Sequence, residues 1–231
     1  MGYKGVILII MCSWHYVVNG QSTRDSVTAT YPKPLVSQIE LFAGGSFLYP
    51  KAAYSWPDEE RNSKFGYTVG VGLSHQFNKV FQLAGLVSYD RKGFANSRRI
   101  SPVYLVSEDV SNDYLTLSLI PMFTPKASRI TFGVGPYYAF LTRSQLKGSY
   151  DSLNTTRHGY LKNSSELYKA YDFGLTITLT YSFELFHGRT FFFRMVNSAG
   201  LVSVNEPELV TISSIDRNRS VSLCLGILLN R

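Results

Sequence analysis

The chain has 231 residues and a formal net charge of +7, but its Lys and Arg residues are scattered through polar segments, which excludes the clustered basic stripe of a nucleic-acid binder. Although 45% of its residues are hydrophobic, no stretch approaches ~18 consecutive apolar residues beyond the N-terminus, which excludes a membrane-spanning helix. A length near this suits one domain when the fold is all-β.

In chain order, the first element is a targeting segment. Lys4 precedes the short apolar core Gly5–Met11, and the small residues Val18 and Gly20 stand at the −3 and −1 positions before Gln21. This is the pattern of a secretory signal peptide, with cleavage expected near Gly20. Cys12 follows the large Met11, which is a poor match to a lipidation site. The expected domains are therefore a signal peptide over 1–20, a periplasmic N-terminal segment over 21–36 and a barrel over 37–231. Cys224 is then the one cysteine of the mature chain and is expected to pack as a small apolar side chain.

Period-two alternation dominates the remainder. Tyr171, Phe173, Leu175, Ile177, Leu179, Tyr181, Phe183 and Leu185 interleave with Asp172, Gly174, Thr176, Thr178, Thr180, Ser182 and Glu184. At this apolar content, chance gives that pattern with a probability on the order of 10⁻⁵. Successive strand side chains face opposite sides, so the segment has one oily and one wet face. The same texture recurs at 65–74, 130–135 and 221–229, and more weakly at 37–49, 80–92, 114–124 and 190–202. That predicts eight strands.

The gaps between them alternate long and short. The long ones are 50–64, 93–113, 143–169 and 203–218; the short ones are Asn78-Lys79, 125–128 and 186–189. Tight periplasmic turns and long outer loops are the signature of an up-and-down barrel with both termini in the periplasm. The wet face is rich in Gly, Thr and Ser, which suits a narrow lumen. Tyr49, Tyr67, Tyr89, Tyr138 and Tyr171 gather toward the loop side, and Phe77, Phe81, Phe123, Phe183 and Phe191 toward the turn side. Two aromatic girdles are expected where a barrel crosses the lipid–water interfaces. The expected fold is an eight-stranded antiparallel transmembrane β-barrel of a Gram-negative outer membrane.

The segments Gly66–Gly72, Leu83–Gly93, Tyr114–Pro121, Phe132–Leu141, Tyr171–Leu175 and Asn197–Val204 together resemble the PorT-like outer-membrane β-barrel family, over roughly residues 38–231. The pieces most particular to it are Gly135–Tyr138 and Asp172-Phe173-Gly174. The resemblance implies a small outer-membrane barrel and, from the family's namesake, a link to protein secretion. The chain departs from common outer-membrane barrels in closing on Leu228-Leu229-Asn230-Arg231 without a terminal aromatic.

Asp172, Glu184 and Arg194 are expected on the lumen side. A hairpin across 186–189 would set Glu184 almost opposite Arg194, and a charge in a small lumen is costly unless paired. Ser74 and His75 are sequence neighbours on one strand and so point to opposite faces, which rules out a nucleophile–base pair there. His158 and His187 lie in connecting segments. No His/Cys/Asp set has metal-ligand spacing, no cofactor motif is present, and no enzyme activity is expected. The outer segments carry Arg98, Arg99, Arg143, Lys147, Arg157 and Lys162, suited to lipopolysaccharide phosphates or an outer-membrane protein partner. The expected function is a structural or interaction role in the outer membrane, with an accessory role in secretion as its specific form. The alternatives are a narrow pore or small-solute-binding barrel, and a soluble periplasmic ligand-binding barrel.

Overall fold

Nine strands follow one another along the chain: β1 (Ser37–Leu48), β2 (Glu59–Gln76), β3 (Phe81–Ser101), β4 (Tyr104–Phe123), β5 (Ile130–Ser152), β6 (Thr155–Asn163), β7 (Tyr171–Leu185), β8 (Arg189–Gly200) and β9 (Arg219–Asn230). The computed structural model describes residues 37–49, 59–101, 104–152, 155–163, 168–185, 189–202 and 217–230. The expected signal peptide, the 21–36 segment and His187 lie outside the described residues.

Eight of the strands close into an antiparallel barrel. Each pairs with the next in sequence, β5 pairs with β7, and β9 returns to pair with β1. Closure requires a stagger, and the register shows it. One route from Glu40 passes through Leu228 to Thr190 on β8. The other passes through Gly72, Leu86, Ser118, Tyr137 and Gly174 and reaches β8 at Gly200 instead. That offset tilts the strands and fixes the barrel's width.

The start of β1 and the end of β9 meet at Gln38 and Asn230, at the same end as the short turns after β2 and β4. Asn78 shapes the first of these turns, its Oδ1 accepting from the Val80 and Phe81 amides at 2.8 Å each. Such side-chain capture of the backbone is why Asn favours turns. The second turn closes with the Ser128 amide on the Pro125 carbonyl at 3.0 Å.

The oily face points outward. Along β7, Tyr171, Phe173, Leu175 and Ile177 are exposed, whereas Asp172, Gly174, Thr176 and Thr178 are buried. The other strands repeat this, with Val69, Val71, Leu117, Leu119, Phe132, Val134, Leu223 and Leu225 on the exterior. A continuous apolar exterior fits hydrocarbon and overturns the soluble-barrel alternative. Tyr67, Tyr89, Tyr138 and Tyr171 ring the end away from the termini, with Tyr138 and Tyr171 stacked at 6.0 Å. Phe81 and Phe123, and Phe183 and Phe191, pair at the turn end.

Two of the expected long loops are not loops. β3 and β4 pair continuously out to Ser101 and Tyr104. β5 continues to Ser152, and β6 adds to its outer part. The expected 93–113 and 143–169 connections are therefore mostly strand, and β2 likewise begins at Glu59 within the expected 50–64 gap. Beyond the membrane the outward face of a sheet meets water, so paired strands there need no oily exterior and leave little period-two contrast in the sequence.

Candidate functional site

Two places carry the polar chemistry of the described residues: the lumen and the outer rim. The lumen is built from complementary strands. The strongly alternating β2, β5, β7 and β9 contribute mainly small residues inward. The weakly alternating β1, β3, β4 and β8 contribute bulky ones, and that is why their alternation is weak. At the turn end Phe42, Leu86, Ile120, Met122 and Phe192 pack with Ala84 and Cys224 into an apolar plug. The Phe192 ring lies over Gly226, where any Cβ would collide with it, and the Phe42 ring lies likewise over Gly70. Glycine is needed at both positions for this close approach.

Within the plug sits one buried ion pair. Arg194 Nη2 lies 2.8 Å from Glu40 Oε2, and each side chain is 3% exposed. The Arg194 Nε donates to Thr180 Oγ1 at 3.0 Å. Its guanidinium lies 4.6 Å from the centroid of Phe192 and 6.0 Å from that of Phe42. This corrects the expected Glu184–Arg194 pair. The hairpin register sets Glu184 opposite Thr190 and Arg194 opposite Thr180. Glu184 has the inward parity but lies past the turn-side rim and is exposed. Arg194 sits higher, and the stagger of the closed barrel brings Glu40 of β1 to its level. The weak alternation of β1 hides Glu40 in the sequence; its one signal there is a lone carboxylate in register with Gly44 and Ser46.

Above the ion pair, Asp90 is held by hydroxyl groups. It accepts from Thr68, from Thr116 at 2.6 Å and from Ser88 at 3.1 Å. Higher still, Asp172 is fully buried. Its Oδ2 accepts from the Tyr137 hydroxyl at 2.9 Å and from Asn218 Nδ2 at 3.0 Å, while its Oδ1 has no hydrogen-bond partner. The Lys92 ammonium lies 5.7 Å from the Tyr114 ring centroid and 5.9 Å from that of Tyr137. Between these layers lies a cavity of about 40 Å³, lined chiefly by Thr, Ser and Asp90.

At the outer rim, one cross-strand row carries Tyr67, Arg91, Asp113 and Arg143. Arg91 clamps Asp113 through Nε at 2.7 Å and Nη2 at 3.0 Å, and stacks over Tyr67 at 5.6 Å. The remaining basic candidates ride on the protruding sheet. Arg98 and Arg99 lie in β3 opposite Val106 and Leu105. Lys147 is opposite Asp109 on β4 and exposed. Arg157 and Lys162 lie in β6. The side chains of Arg98, Arg99, Arg157 and Lys162 are outside the described residues. Ser74 is buried inside while His75 lies against Phe77 at 5.0 Å. Among the described residues, no group of three or more His, Cys, Asp or Glu could hold a metal ion.

The sequence pattern described as "Outer membrane protein beta-barrel domain" matches residues 21–205. The chain belongs to this family. No curated protein matches it by sequence. Among solved structures, this barrel domain is similar to Ail, the attachment invasion locus protein of Yersinia pestis, in complex with the heparin analogue sucrose octasulfate. Identity is 11% and the TM-score 0.43, over 84% of this chain and 100% of that one. It is also similar to the outer-membrane protein OprG from Pseudomonas aeruginosa, at 8% identity and TM-score 0.41, over 85% of this chain and 98% of that one. Family membership and the outward apolar band place the barrel domain in the outer membrane.

Proposed function

We propose that the protein is a sealed outer-membrane barrel whose role is structural or interactive, carried by the sheet that rises beyond the membrane. One observation carries this reading: between the Phe42–Phe192 plug and the Asp172 network the described lumen is packed with side chains, and the cavity between these layers, about 40 Å³, has room for no more than a few water molecules. A solute path through these layers needs far more space. The alternative of a narrow pore is correspondingly weaker, and catalysis is not part of this reading.

The termini and short turns face the periplasm in this reading, and the extended parts of β2 to β5, with β6, project outward. That sheet carries Arg98, Arg99, Lys147, Arg157 and Lys162. Its partner is lipopolysaccharide or another outer-membrane protein, and an accessory role in protein secretion is the form the PorT-like resemblance implies. Planar-bilayer recording of the purified protein tests the sealed lumen. Silent insertion is the expected result, and stable conductance steps would sink the reading. An epitope inserted between β3 and β4 tests the orientation, with antibody labelling of intact cells as the expected outcome.

A further inference from the structure

Below the rim row, the exterior of the barrel is dented. Ala43 on β1 has Val69 and Leu225 as its cross-strand neighbours. Its short side chain leaves a floor between larger walls. The result is a shallow groove of about 740 Å³ on the lipid-facing side, walled chiefly by Leu41, Val69, Val87, Tyr89 and Leu225. Tyr89 and its cross-strand partner Leu115 close the groove's upper end, one row beneath Arg91 and Asp113. An apolar trough thus runs down the wall from a charged row at interface height.

That row has an excess of positive charge. Arg91 and Arg143 flank the single carboxylate of Asp113. Asp113 is 2% exposed and engages Arg91, so the accessible charge of the row is guanidinium: Arg91 is 36% exposed at its side chain and Arg143 is exposed. Tyr67, stacked on Arg91, and Tyr89 mark this height as the headgroup level. Arginine forks match phosphate oxygens, and an apolar trough below Arg91 matches an acyl chain.

We propose that this face binds one lipopolysaccharide molecule, with a lipid A phosphate on Arg91 and Arg143 and an acyl chain in the Ala43 groove. The proposal names the lipid partner within the reading above and rests on its outward orientation. The same row is the anionic-lipid site on the face of the barrel, distinct from the basic residues of the protruding sheet.

The test is native mass spectrometry of the full-length protein, refolded in detergent and supplied with lipid A, its dephosphorylated form or phosphatidylglycerol. Lipid retention in detergent does not depend on orientation in cells, so failure here and failure of the epitope test are separable. Wild type is expected to retain one lipid A and to lose most of that retention with the dephosphorylated form. Arg143→Gln leaves the Arg91–Asp113 clamp in place and is expected to weaken retention about tenfold. Ala43→Phe fills the groove without touching the charged row and is expected to do the same. Lys126→Gln/Arg129→Gln, at the opposite end, should leave retention unchanged. Heat-modifiable gel migration verifies that every variant is folded. Equal retention by folded Arg143→Gln and Ala43→Phe, or by the dephosphorylated lipid, overturns the site. Equal retention of phosphatidylglycerol overturns the assignment to lipopolysaccharide.

Discussion

Arg194 on β8 and Glu40 on β1 meet at 2.8 Å inside the barrel, with β9 running between their strands. The contact exists only because β9 closes the barrel onto β1, so it reports on the register of that closure. Both side chains are 3% exposed, and the loss of either partner strands the other in a medium that solvates it poorly. Glu40→Ala should therefore destabilise the barrel by about 3–5 kcal/mol. Urea unfolding in lipid vesicles, followed by Trp and Tyr fluorescence, reads this. The double variant Glu40→Gln/Arg194→Met should recover much of the loss. Glu184→Ala, at an exposed rim position, should stay within about 0.5 kcal/mol of wild type.

The fit of bulky strands against glycine strands gives a second prediction. A Cβ placed on Gly72 would lie 2.5 Å from Leu86 Cδ2, with its other neighbours at 3.4 Å. Gly72→Ala should cost about 1–3 kcal/mol through overpacking. Leu86→Val removes the colliding methyl, so the two substitutions together should be less harmful than their sum. A double-mutant cycle on the same unfolding assay measures that coupling.

The outward face is tested by depth. Ile177 lies on the apolar exterior at 56% exposure, and Tyr171 belongs to the aromatic girdle at 47%. Ile177→Arg should destabilise the protein by about 2–4 kcal/mol, and Tyr171→Arg by only about 0–1 kcal/mol. Equal costs at the two positions would contradict the placement of the hydrocarbon band.

The aromatic plug should be what seals the lumen. Phe42 and Phe192 are 8% and 0% exposed and belong to one cluster. The double truncation Phe42→Ala/Phe192→Ala should turn a silent protein into one with small cation or anion steps in planar bilayers. A silent double variant would mean that the polar network around Asp172 seals the barrel unaided.

The strands most readable in the sequence were those with the smallest inward residues. β7 shows its outward Phe173, Leu175 and Ile177 against inward Gly174, Thr176 and Thr178. Periodicity there is a direct image of the two environments. β1 and β8 were harder to read because Phe42 and Phe192 point inward, which removes the contrast on which the pattern depends. The outer halves of β3, β4 and β5 were hidden for a different reason: their outward face lies beyond the hydrocarbon, so hydrophilic residues occur at both parities although Val110 and Leu146 are still buried inward.

Within the lumen, Asp172 and Arg194 could be singled out from sequence because each is a charge at an inward position of a clearly alternating or adjoining strand. Their partners could not. Glu40, Tyr137 and Asn218 lie far along the chain from the groups they contact, and which residues share a height depends on the stagger at which β1 meets β9. The sequence by itself determined the eight strands of the barrel wall, though not the ninth beyond it, together with the oily and wet faces and the membrane as solvent, because those follow from alternation between nearest neighbours. Only the closed tertiary structure decided which charges pair, which glycines admit an aromatic ring and how little space remains inside, because each of these depends on register summed around the full circumference.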